Sequence, residues 1–223
     1  MKLFHPLFET PIEFSENKIQ VLVIENKQTA ANLIGEIIAM SETGIDGEFV
    51  LSERENNISF SAVAIISDFF RINPNDKKLT NKLISELGEI AVDEKYFEET
   101  NRIISEINRY IERISDDIEY DVALDEVTVS GLLKLSGIHF DESEKSLENA
   151  LLNFFDIYSK MLKTKLFVIV NLRRFVDDEL LESFYSDVIY KKYNLLLIET
   201  ILPEAVSERE KYKIIDKDLC EIG

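Results

Sequence analysis

Two residues stand where a nucleotide hydrolase keeps its chemistry. Lys27 lies in the run Glu25-Asn26-Lys27-Gln28-Thr29-Ala30, directly behind the apolar stretch Ile19–Ile24, and Asp68 follows the apolar stretch 62–66. A phosphate cradle needs glycines so that successive amides converge on oxygens, as in G-x-x-x-x-G-K-[ST]. That run contains none, and no G-x-G-x-x-G occurs elsewhere. A divergent hydrolase using Lys27 and Asp68 is therefore an alternative only, and the chain is expected to be no enzyme. His5 and His139 have no cysteine or G-x-S-x-G serine to activate, and both are expected to be structural. The one cysteine, Cys220, excludes a disulfide framework, a cysteine zinc site and a CxxC pair.

The acids are a different matter, because they are clustered. Residues 86–126 hold 14 acidic and 4 basic side chains, and six carboxylates crowd into the eleven residues 116–126. Charges that dense repel one another unless a cation sits among them, and calcium accepts carboxylate oxygens in irregular geometry. The spacing is not that of an EF-hand. A solvated acidic turn, with Asp125 or Glu126 at a helix N-terminus, remains an open alternative.

Basic residues cluster as well. Lys77 and Lys78 follow the polar loop 73–76, with Lys82 one turn on; Lys163 precedes the apolar run Leu166–Val170, and Arg173 and Arg174 follow it. Residues 160–192 carry seven basic and five acidic side chains in a chain whose net charge is −18. Loops beyond the carboxyl ends of strands are where open α/β sheets hold ligands, which singles out Arg173 and Arg174.

The elements that position these groups follow from periodicity. Ile19–Ile24, 62–66, Leu166–Val170 and 195–198 are continuous apolar runs, the pattern of strands covered on both faces of a mostly parallel sheet. Helical patterns at 28–40 and 177–192 complete an α/β rhythm. Stretches 10–14 and 212–215 read as edge strands, and Glu16-Asn17-Lys18 as a hairpin turn. Between them lies a helical block. Residues 80–118 carry Ile103, Ile104, Ile107, Ile111, Ile114 and Ile118 on one stripe; a second helix spans 126–135, ended by Gly137; a third spans 143–162, capped by Ser143 or Ser146. Apolar residues make up 45% of the chain, enough for a core, so a wholly disordered reading is excluded. With no signal peptide and no apolar run of membrane length, a cytoplasmic location is expected. The overall charge by itself argues against nucleic acid and anionic membranes.

Taken together, three stretches resemble the small DNA-binding adaptation protein of type II-A CRISPR systems. They are Leu7-Phe8-Glu9-Thr10-Pro11-Ile12, the junction 120–133 with Asp125-Glu126-Val127-Thr128-Val129, and Lys163-Thr164-Lys165-Leu166-Phe167-Val168-Ile169-Val170-Asn171. The resemblance implies a nucleotidase-like α/β head without a phosphate loop, at 1–79 and 163–223, and an α-helical leg at 80–162. It further implies a homotetrameric ring with a basic inner surface, ordered by calcium, that threads onto double-stranded DNA ends without sequence specificity. Such rings serve spacer acquisition in antiviral defence, alongside the adaptation integrase and the effector nuclease. Matching the junction nominates Glu119, Asp121, Asp125 and Glu126 for calcium. Lys77, Lys78, Lys82, Lys163, Arg173 and Arg174 are nominated for DNA. The other alternative is an acidic scaffold that recruits basic protein partners.

Overall fold

The computed structural model describes residues 1–68, 71–141, 146–203 and 206–222. In chain order the strands are β1 (Lys2–Phe4), β2 (Ile12–Glu13), β3 (Ile19–Ile24), β4 (Val50–Glu53), β5 (Asn56–Ile58), β6 (Val63–Ile66), β7 (Leu166–Val170), β8 (Leu195–Glu199), β9 (Glu210–Ile215) and β10 (Glu221–Ile222). The helices are α1 (Lys27–Thr43), α2 (Lys77–Ala91), α3 (Phe97–Ser115), α4 (Val129–Leu135), α5 (Leu147–Leu162) and α6 (Asp178–Tyr190). The chain divides into two compact units, Met1–Ile72 with Ser143–Gly223, and Asn73–Glu142.

The first unit is built on a six-stranded sheet of order β10-β9-β3-β8-β7-β6, parallel except for the β10–β9 pair. All six residues of β3 are buried, as are all of β7 and β8. Their alternate side chains feed two cores. Ile19, Val21, Val23, Phe167 and Leu197 meet Leu151 and Phe155 of α5 and Leu181, Phe184 and Val188 of α6. On the opposite face Leu22, Ile24, Val168 and Ile198 meet Ala30, Leu33, Ile37 and Met40 of α1. A second, antiparallel sheet of order β2-β1-β4-β5 adds Leu3, Ile12 and Leu51 to that face. The result is an α/β layer structure, as two-sided burial of the apolar runs requires.

Three expectations need correction. The stretch at 212–215 is β9, and it is not an edge: it pairs parallel with β3 on one side and antiparallel with β10 on the other. The turn at Glu16-Asn17 closes no hairpin, because β2 and β3 belong to different sheets. And α5 belongs with the sheet, not with a helical leg, since Leu151, Leu152, Phe154 and Phe155 are buried in its core. Ser146 caps α5 by accepting from the Asn149 amide at 3.2 Å; the other candidate cap, Ser143, lies outside the described residues.

In the second unit the pattern at 80–118 resolves into two helices, α2 and α3, separated at 92–96. Thr100 Oγ1 donates to the Ala91 carbonyl at 2.7 Å and so ties the start of α3 to the end of α2. The α4 helix packs on α2, and Gly137 follows it with φ +66°, a conformation natural to glycine after a helix. No residue of α3 is buried: Ile104, Ile107 and Ile111 are partly covered, while Ile103 and Ile114 are exposed.

Candidate functional site

The nominated cations fall in three places. Lys77, Lys78 and Lys82 stand exposed on the first two turns of α2. Asp76 caps that helix, its carboxylate accepting from the Leu79 amide at 2.8 Å. A helix N-terminus carries the positive end of the macrodipole, where lysines are disfavoured and acids favoured. Here the first turn has no acid. The Asp76 carboxylate offsets part of the dipole, so the local anion-attracting potential in this acidic protein rests on the three exposed lysines.

Lys163 and the arginine pair flank β7 at opposite ends. Lys163 closes α5 with φ 58°, exposed, before the strand, and Arg173 and Arg174 occupy the short 3-10 turn Leu172–Arg174 after it. Five strand residues at about 3.3 Å each separate the two sides by roughly 17 Å or more. The structure does not bring them together. The two arginines also differ. Arg174 is exposed and donates to Thr200 Oγ1 at 2.7 Å, with Thr200 held in turn by Asn171 Oδ1 at 3.0 Å.

Arg173, also nominated for DNA, is engaged within its own chain. Its side chain is 9% exposed and forms a close ion pair with the fully buried carboxylate of Glu210. It also reaches Tyr212 Oη at 3.1 Å and Asp178 at 3.3 Å, while its backbone amide donates to Glu199 Oε1 at 3.1 Å. Tyr185 and Tyr212 donate to the Glu210 carboxylate at 2.7 and 2.8 Å, and the Ser207 amide does so at 2.9 Å. Burial alone would lower the Arg173 pKa, but the hydrogen bond and charge of Glu210 outweigh it and hold it above its ordinary value. Burial, reinforced by Glu210, pushes both tyrosines up. Glu199, 2% exposed, is raised to about 7 chiefly by burial. The sequence analysis missed this network. Its signal was faint: Glu199 ends the otherwise apolar β8, and Glu210 opens β9, where Lys211 and Lys213 make a buried acid look like one more surface charge.

The four nominated calcium ligands lie in the irregular stretch 116–128 between α3 and α4, and Glu119, Asp121, Asp125 and Glu126 are all exposed. Their oxygens have the right chemistry for calcium. Among the described residues, the three His, Cys, Asp or Glu side chains whose donor atoms lie within 4.8 Å of one another are His5, Glu36 and Glu48, in another part of the chain. Thr128, not Asp125 or Glu126, caps α4 with its hydroxyl, 3.1 Å from the Gly131 amide.

The hydrolase pair does not assemble either. Lys27 follows β3 and Asp68 follows β6, and β8 and β7 lie between, so the two strands are about 14 Å apart. The start of α1 is already satisfied by its own cap, with Asn26 Oδ1 accepting from the Thr29 amide at 3.1 Å and from its hydroxyl at 3.2 Å.

Comparison with known proteins adds two findings. A family model described as CRISPR-associated protein (Cas_Csn2) matches residues 43–219. Among solved structures, the ADP conformation of an ATP-binding cassette of an ABC transporter aligns over 87% of this chain and 74% of its own, at 15% identity and a TM-score of 0.40. That second likeness is too loose to define a shared fold.

Proposed function

The chain belongs to the CRISPR-associated Cas_Csn2 family, the type II-A adaptation proteins, and on that premise we propose that it binds double-stranded DNA ends without sequence specificity and without catalysis. Several copies enclosing the duplex as a homotetrameric ring would serve spacer acquisition beside the integrase and effector nuclease. The observation that carries the reading is the start of α2, where Lys77, Lys78 and Lys82 stand exposed and close together. Repeated around a ring, that end concentrates positive potential on one wall despite the chain's total of −18. Phosphate is the natural partner of such a wall, and backbone contacts carry no base preference. Assembly has support in α3, whose apolar stripe is only partly covered by its own chain, with Ile103 and Ile114 exposed.

The test is a salt series on unrelated duplexes. Each neutralised phosphate contributes about −0.9 to the slope of log affinity against log salt. Replacing Lys77, Lys78 and Lys82 together by Ala is expected to weaken binding equally on every sequence and to flatten the slope by up to about 3 per engaged subunit. The exposed positions and the dipole argument predict an intact helix. Arg174→Ala is expected to weaken binding by a smaller amount. A triple variant with unchanged affinity and slope would overturn the assignment; protein capture without DNA binding would support the scaffold alternative.

Calcium is proposed on charge density alone: six carboxylates in residues 116–126 lose their mutual repulsion when a divalent ion draws them together. Molar mass in solution is expected to fall when calcium is chelated, and DNA affinity with it. Equal mass with calcium and with excess chelator would remove the ion from the account.

A further inference from the structure

His5, Glu36 and Glu48 come from three separate places in the first unit, and the fold forces them together. Phe4 pairs with Val50 across β1 and β4, so His5 lies opposite Phe49, one residue from Glu48. Their rings meet at 4.6 Å between centroids. Glu36 rides on α1 beside Ile37 and Met40. The loop before β4 lies tight on that helix because residue 47 is glycine: a Cβ there would sit 2.5 Å from Met40 Sδ. The Glu48 amide consequently donates to Glu36 Oε1 at 2.5 Å, leaving Glu36 Oε2 turned toward the imidazole.

What the cluster lacks is a hydrogen-bond partner for Nε2 of the ring. The His5 side chain is 7% exposed, and its Nε2 makes no hydrogen bond, although Glu36 Oε2 lies 3.4 Å away and Glu48 Oε2 3.5 Å away. A buried polar atom without a partner costs about 1–3 kcal/mol, so something is expected to meet it. Ligand atoms placed tetrahedrally at zinc bond lengths are separated by about 3.4 Å. We propose that His5 Nε2, Glu36 Oε2 and Glu48 Oε2 form a binding site for a borderline divalent transition metal such as zinc. One imidazole nitrogen with two carboxylates suits zinc and disfavours calcium, which takes oxygen alone. Glu48 is 68% exposed, so water completes the coordination. The metal would pin β1, α1 and the loop before β4 to one another, independently of any DNA binding.

The site has a built-in signature. In the metal-free chain the Leu7 amide donates to His5 Nδ1 at 3.1 Å, which puts the ring proton on Nε2. A metal at Nε2 needs that lone pair. The proton must therefore leave Nε2 while Nδ1 takes one up, the ring stays neutral, and the Leu7 contact is given up.

Long-range proton–nitrogen NMR of the full chain resolves this, since only His5 and His139 contribute. Zinc chloride added stepwise is expected to exchange the two nitrogen signatures of His5, leaving His139 unmoved, and calcium chloride is expected to change neither. Glu48→Gln, at an exposed position, should keep the fold by circular dichroism and weaken zinc binding by at least about tenfold. An unchanged His5 at saturating zinc, an equal response of both histidines, the same response to calcium, or full affinity in Glu48→Gln would each overturn the site.

Discussion

Arg173→Ala is expected to destabilise the folded chain by about 3–5 kcal/mol, whereas Arg174→Ala should cost no more than about 0.5 kcal/mol. The difference lies in what each guanidinium leaves behind. Without Arg173, the Glu210 carboxylate stays fully buried with only Tyr185, Tyr212 and the Ser207 amide to answer its charge. Without Arg174, Thr200 loses one exposed donor. Urea midpoints of the two single variants measure this directly. Adding Glu210→Gln to Arg173→Met should recover much of the loss, because a pair removed as a unit leaves no orphaned charge. An Arg173→Ala variant within 1 kcal/mol of the parent would mean that the buried pair contributes little. The same reasoning makes Arg174 the informative substitution for DNA binding, since a change at Arg173 alters folding first.

Glu199→Gln is expected to stabilise the protein in mild alkali and do little in acid. Burial raises the Glu199 carboxyl to about 7 from an ordinary value of 4.5. The folded chain thus holds this proton more tightly than the unfolded one, and stability falls as pH rises. The benefit is complete below about pH 4.5, declines between there and about 7, and is gone above. Two to three pH units at about 1.4 kcal/mol each make the difference on the order of 3 kcal/mol at pH 8. Glutamine keeps an oxygen for the Arg173 amide and removes the charge. Denaturation at pH 5 and pH 8 should show the variant gaining on the parent only at the higher value. Parallel profiles would place the source of any pH dependence elsewhere.

What could be read in the sequence, and what could not, divides along physical lines. The runs of β3, β7 and β8 announce themselves because strands buried on both faces must be apolar at every position. The lysines of β9, Lys211 and Lys213, disguise an interior strand as an edge, since each is a long side chain in a parallel pair whose neighbour lies far away in sequence. Helix α5 was grouped with the isoleucine-rich helices by proximity along the chain, but its Phe154 and Phe155 face the sheet. The acid density of 116–126 was plain from counting; whether its oxygens converge is a matter of loop geometry that counting does not reach. Arg173 and Arg174 are neighbours of the same type, and only the turn that carries them decides that one points inward and the other out. The family, by contrast, was legible as an overall pattern and is confirmed over residues 43–219.

The strand order has a bearing on how this chain comes to be made. Both neighbours of β3, namely β8 and β9, emerge more than about 170 residues after it. Until then, IQVLVI is a sticky ribbon with neither edge occupied. Ribosomal synthesis must therefore carry an unprotected hydrophobic segment for most of its duration, which makes holding chaperones and slow elongation the natural allies of soluble yield, and rapid overexpression its adversary.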